Sequence, residues 1–119
     1  MTSFDHQPSV LLARLLAVAP ELPFPVTTRP MMGGYVGYAD GKVFVSISRG
    51  GFGVKLTPPD QDKLLVRPGS AGMQHGPADP VSKSYVILSS ADLANDEVLI
   101  EWLLRAAKTA APPNRKPRS

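Results

Sequence analysis

The sequence predicts an α+β domain: a two-layer sandwich in which helices pack on an antiparallel sheet of about five strands. Apolar residues recur at helical spacing near both ends of the chain, and the middle segment alternates apolar and polar residues with a period of two. Glycine-containing turns divide that middle segment into short strands. The predicted order is α-β-β-β-α-β-β-α, which is typical of a sheet with helices on a face.

The first helix is expected to begin at Pro8, because a proline at the first helical position loses no hydrogen bond. Residues 1–7 precede it and are expected to be flexible. The helical spacing that follows predicts one apolar stripe. The stripe comprises Leu11, Leu12, Leu15, Leu16 and Ala19. Pro20, Pro23 and Pro25 end the helix and form a stiff connector.

Residues 31–56 are predicted to form a three-stranded antiparallel meander. Asp40 and Gly41 suit the centre of a tight hairpin turn, since both central positions require positive φ. A second turn is expected at Gly50 and Gly51. Strict alternation then divides the intervening strand between two faces. The predicted faces are Val43, Val45 and Ile47 on one side, and Phe44, Ser46 and Ser48 on the other.

A short helix is expected after Thr57, which can cap it, with Pro58 at its first position. The segment 68–80 is rich in glycine and proline, and residues 73–75 could pair briefly as a strand. The apolar run at residues 85–88 predicts a short buried strand.

The last helical region is expected to begin at Ser89 or Ser90, with Asn95 as a second possible cap. Its main apolar stripe comprises Leu99, Trp102, Leu103, Ala106 and Ala110. Further apolar residues widen the stripe: Ile100, Leu104 and Ala107. This helix is therefore either covered on two sides or supplies a dimer surface, and the chain is a monomer or a homodimer.

Charge and composition limit the class of protein. Three of the 13 basic residues lie near the end of the chain, at Arg115, Lys116 and Arg118. The other ten balance ten acidic residues. The basic tail, residues 112–119, is expected to be disordered and only weakly attracted to phosphates. The chain has no cysteine, and its start lacks the pattern of a signal peptide. We expect a cytoplasmic protein with one folded domain, residues 8–111, and no membrane contact.

Two features of the middle segment could carry function. Gly33, Gly34 and Gly37 could cradle a phosphate, but no helix start follows them. The favoured alternative is that they let a helix or a strand approach closely. Lys55 is predicted to point away from the core, beside Gly53. It could bind an anion or an acidic partner, or lie in solvent with its stem on apolar surface.

No residue pattern predicts catalysis. His6 and His75 are too few for a metal site, and no nucleophile or acid stands at a recognisable spacing from His75. Trp102 is expected to lie in the core. We therefore predict no catalytic residue, no metal site, no cofactor and no enzymatic activity.

Several short motifs, taken in order, resemble the TfoX N-terminal domain family. They are Met31-Met32-Gly33-Gly34, Tyr35 and Tyr38 around Gly37, Asp40-Gly41-Lys42-Val43-Phe44, Val54-Lys55-Leu56, Tyr85 before a short strand and Trp102 in a late helix. The resemblance spans roughly residues 12–110. Met32 stands where that family has phenylalanine, and Val43 where it has methionine. Both exchanges keep an apolar side chain, so we expect packing to survive.

The resemblance implies a regulatory or protein-interaction module, with a role in transcriptional regulation of the competence type and no established active site. An unidentified protein partner is expected. The candidate interaction residues are Lys55, Gly33, Gly34, Tyr35 and Trp102. A second hypothesis is a nucleic-acid-binding accessory protein of the YjbR-like type, a group of similar two-layer build. A third is a small-molecule-binding protein or enzyme that uses the glycine-lined sheet face.

Overall fold

A computed structural model of the chain describes residues 7–74 and 80–109. Its strands are β1 Val26–Met31, β2 Gly34–Ala39, β3 Lys42–Ser48, β4 Gly51–Lys55, β5 Ala71–Gly72 and β6 Tyr85–Ile87. Its α-helices are α1 Pro8–Val18, α2 Pro58–Leu65, α3 Ser90–Ala94 and α4 Asp96–Thr109. The strands form one antiparallel sheet in the order β1-β2-β3-β4-β6-β5, and α1 and α4 pack on one of its faces.

The predicted α+β sandwich is confirmed, with corrections to the number of elements. The sheet has six strands rather than about five, and the meander holds four rather than three. The additional strand is β1. It ends at Met31, where the sequence predicts that the first strand begins. The final helical region is two helices, α3 and α4. Residues 1–6, the tail at 112–119 and His75 lie outside the described residues.

Strand β1 lies at the edge of the sheet, and it tolerates Pro30 because the backbone nitrogen of this residue points away from β2. The amide of Asp40 donates to the carbonyl of Pro25 (2.9 Å), just before the strand. Inward and outward backbone groups alternate along an antiparallel edge. Pro30 therefore faces outward, where a missing N–H removes no bond to β2.

A β-bulge at Phe44 breaks the predicted alternation of β3. Val43 pairs with Tyr38 and Val45 pairs with Gly37, so Phe44 has no partner of its own on β2. Such an extra residue puts two neighbours on the same side of the sheet. Phe44 and Val45 are both fully buried, and the ring of Phe44 meets Phe24 edge to face at 5.9 Å. The prediction that Phe44 lies opposite Val45 was wrong.

Two glycines allow close packing against β2, as the sequence predicts. A Cβ at Gly37 would lie 3.1 Å from Cδ2 of Leu15 in α1, and one at Gly34 would overlap the carbonyl oxygen of Ile47. The helix and the neighbouring strand can therefore approach the backbone of β2.

Helix α1 begins at Pro8 as predicted and buries Leu11 and Leu15. Leu16, however, is 48% exposed and does not belong to the buried stripe. The Nε of Arg14 donates to the carbonyl of Leu93 (2.8 Å) and thereby ties α1 to α3.

The later helix starts lie close to where the sequence predicts them. Ser89 Oγ accepts from the amide of Asp92 (3.1 Å), and Asn95 Oδ1 accepts from the amide of Val98 (3.2 Å). Thr57 stands at the start of α2, but its side chain makes no capping bond. The brief strand expected at residues 73–75 is instead β5, at Ala71–Gly72.

Candidate interaction site at the first hairpin

The turn between β1 and β2 has an unusual residue at its first central position. Met32 has a φ of 48° and Gly33 a φ of 83°, almost the same angles as Asp40 (51°) and Gly41 (83°) in the next turn. Asparagine, aspartate and glycine adopt such left-handed angles most readily, whereas a long apolar side chain rarely does. The first turn therefore places a methionine where local backbone energetics disfavour it.

The side chains at this turn are exposed and apolar. Met32 is 99% exposed and Met31 is 51% exposed. Met32 therefore takes no part in packing among the described residues, so the exchange of phenylalanine for methionine at this position does not affect the core. Within the described residues, the two methionines therefore form apolar surface that is not buried by the protein's own packing.

Two clefts flank the turn. One, of about 480 Å³, includes Ser46 and Ser48 in its wall. The other, of about 420 Å³, reaches Pro8 at the start of α1. Met31, Met32 and Tyr35 line both clefts. The half-buried ring of Tyr35 thus connects the exposed methionines to concave surface on each side.

The predicted candidates Gly33, Gly34 and Tyr35 therefore meet at the first hairpin. The glycines set the turn and the close approach of β3. A strand follows them rather than a helix, so the dipole that a phosphate cradle needs does not converge here.

Two arginines lie at or near this end of the sheet. Arg29 lies exposed on β1, and Arg49 lies in the turn between β3 and β4, which is at the same end as Met32. Neither forms an ion pair with any described residue. Residues 26–55 contain one acidic residue, Asp40, which lies in the turn at the opposite end of the sheet. Its Oδ2 is 3.9 Å from the Nζ of Lys42.

The tip of the first hairpin comprises residues 31–34, and Lys55 lies at the other end of the sheet. It pairs across strands with Tyr85 and is half-buried on the face opposite the helices. Within residues 7–74 and 80–109 it forms no ion pair. Burial raises the pKa of Tyr85, and Tyr38 raises it further. The structure does not bring Lys55 together with the glycine candidates.

Trp102 is a core residue, 4% exposed on α4. Arg105 lies over its ring at 5.0 Å and also binds Asp60 (2.8 Å) and Glu101 (3.1 Å). The hydrogen bond to Glu101 is the main cause that raises the pKa of Arg105. These contacts join α4 to α2 and give Trp102 a structural role.

Sequence reasoning did not identify the ion pair between Arg67 and Asp92. Nε and Nη2 of Arg67 each donate to one carboxylate oxygen of Asp92, both at 2.8 Å. The hydrogen bond to Asp92 raises the pKa of Arg67. Asp92 is 7% exposed, so the pair secures the segment after α2 to α3. Spacing alone gave no signal, since the two residues lie 25 positions apart.

Among the described residues, no group of three histidines or carboxylates lies close enough together to hold a metal ion. In the same part of the chain, every helix is too short or too polar to cross a membrane.

Comparison with known proteins identifies the family. No curated protein and no solved structure matches the chain. The TfoX N-terminal domain matches residues 21–110, which include all six strands and helices α2 to α4. The chain therefore belongs to the TfoX N-terminal domain family.

Proposed function

We propose that the protein is a cytoplasmic, non-enzymatic regulatory module that acts by binding a protein partner through the tip of its first hairpin. The observation that carries this proposal is Met32, almost fully exposed on a left-handed turn. Strained backbone persists where the surrounding structure imposes it and is concentrated at functional positions. Membership of the TfoX N-terminal domain family supports a regulatory role.

The chemistry of the two clefts supports binding rather than catalysis. Methionine, proline, valine, isoleucine, serine and tyrosine side chains line them, together with glycine. General acid–base catalysis needs a group that titrates near the working pH within reach of the reacting atoms. These side chains are instead suited to contact with an apolar surface.

The hairpin tip is a stronger candidate than the two other surfaces that the sequence suggests. Lys55 is half-buried, and Met73 crosses the same sheet face beside it, where it contacts β4 at Gly53. On α4, Ile100 and Leu104 pack against the core cluster. Neither surface exposes large apolar side chains as Met31 and Met32 do.

A photo-reactive amino acid at position 32, incorporated in the native host cells, tests this proposal. We expect it to cross-link to one partner protein on irradiation, because the side chain would lie in the interface. Position 40 is a matched control with the same turn geometry at the opposite end of β2. Equal cross-linking from positions 32 and 40, or none from 32, would contradict the proposal.

A further inference from the structure

We infer that the partner presents an acidic segment with an apolar side chain at its centre, which docks on the hairpin tip between Arg29 and Arg49. This inference rests on the proposed function and names the chemistry of the partner. Its basis is the combination, at one end of the sheet, of exposed apolar side chains and two arginines that form no ion pair with any residue the structure describes.

The apolar part of the surface is Met31 and Met32 with the cleft lined by Tyr35. Methionine is flexible and polarisable and adapts to differently shaped partners. Methionine and arginine are both enriched at protein interfaces. An apolar side chain of the partner could enter the cleft of about 480 Å³ and cover the two methionines.

The charged part of the surface has one sign. Arg29 and Arg49 flank the tip, and Asp40, the acid of strands β1–β4 and their turns, lies at the far end of the sheet. Opposite charges across an interface speed association and fix its register, and like charges disfavour it. An acidic partner therefore complements this end of the sheet.

The same charges argue against other occupants. A second copy docked tip to tip would bring arginines against arginines, and the basic tail of the chain would also be repelled. Nucleic-acid binding usually needs more phosphate contacts than two arginines make, or aromatic rings on which bases stack. The aromatic ring at this tip, Tyr35, is half-buried, and the exposed apolar side chains are methionines.

Selection of peptides from a phage-displayed random library on the purified full-length protein tests the inference. We expect the enriched peptides to carry several aspartates or glutamates around a large apolar residue. A selected peptide is then synthesised with a fluorescent label and titrated against variants. Arg29→Glu combined with Arg49→Glu should weaken its binding at least about tenfold, since two attractive contacts become repulsive.

The matched control is Lys63→Glu combined with Lys83→Glu, which changes the net charge equally at two exposed lysines away from the tip. We expect less than about a threefold effect, because salt screens distant charges. Unchanged thermal melting shows that each variant is folded. Enrichment of neutral or basic peptides, no enrichment, or equal weakening by the two double variants would overturn the inference.

Labelled single-stranded and duplex DNA are titrated in parallel. Tighter binding of DNA than of the selected peptide, lost in the Arg29→Glu and Arg49→Glu variant, would assign the surface to nucleic acid and overturn the inference. Cross-linking from position 32 distinguishes failure of the acidic partner from failure of the proposed function. Cross-links to a partner protein that persist after charge reversal would leave the proposed function standing and remove the acidic partner.

Discussion

At the scale of single residues, Met32 combines a left-handed backbone, which costs stability, with an almost fully exposed apolar side chain. It adopts a φ of 48° and packs against nothing described, so neither the backbone nor the core accounts for it. The equivalent position of the next turn holds Asp40, a residue that tolerates such angles. This contrast explains why the sequence predicts the turn at Asp40 and Gly41 and not the turn at Met32 and Gly33.

We predict that Met32→Asn raises the free energy of unfolding, by about 0.5–1 kcal/mol, because asparagine adopts left-handed angles at lower cost. The reciprocal change, Asp40→Met, should lower it by a similar amount. Urea unfolding of both variants measures the effect. A loss of stability in Met32→Asn would mean that the methionine packs within the protein.

Tyr85 gives a prediction about pH. Burial raises the pKa of its hydroxyl in the folded protein, so the unfolded chain releases this proton first as pH rises. The stability contributed by Tyr85 is therefore complete below about pH 10, the ordinary pKa of tyrosine, and is lost above it. Urea unfolding from neutral to strongly alkaline pH should show a steeper loss in the wild type than in Tyr85→Phe. Identical pH profiles would contradict this.

At the scale of elements, the sequence predicts those whose turn or cap chemistry is local. Asp40 and Gly41 fix one hairpin, and Ser89 and Asn95 mark the starts of α3 and α4. The bulge at Phe44 has no such local signal, because it depends on the register of β3 against β2. Tertiary packing decided that face, and strict alternation therefore predicted it wrongly.

The wide apolar stripe of α4 yields a prediction for a pair of leucines. Leu104 is partly buried against the core cluster, whereas Leu16 of α1 is about half exposed. Leu104→Ala should lower the free energy of unfolding by about 1–2 kcal/mol, and Leu16→Ala by less than about 0.5 kcal/mol. Chemical denaturation measures both. Equal effects, or a change of oligomeric state in Leu104→Ala alone, would favour the dimer surface that the sequence leaves open.

For the molecule as a whole, charge decides how it should respond to nucleic acid. Outside Arg115, Lys116 and Arg118, ten basic residues balance ten acidic ones. We predict that serine at these three positions removes most of any affinity for duplex DNA at low salt, because few phosphate contacts remain. Fluorescence anisotropy with labelled duplex DNA measures this. Salt-dependent binding in the micromolar range that survives the substitutions would favour the YjbR-like alternative.

The candidate site was only partly predictable from sequence. Gly33, Gly34 and Tyr35 were identified and lie together at the first hairpin. The exposure of Met32 cannot be inferred from spacing alone, because an apolar residue beside a strand is more often expected to pack. Arg29 and Arg49 gave no signal, since a single arginine on a strand or turn is ordinarily a solvated side chain. Only the arrangement of the sheet brings them to one end.

The central claim, that the hairpin tip is the surface that a partner covers, is tested most directly by the oxidation rates of the methionines. Oxidation of methionine depends on its exposure to the oxidant. Among the three methionines that the structure describes, Met32 should react fastest in the purified protein and the fully buried Met73 slowest. In extract of the native host, we predict that Met32 and Met31 are protected severalfold relative to an added methionine peptide. Unchanged reactivity of Met32 in the extract would contradict the claim.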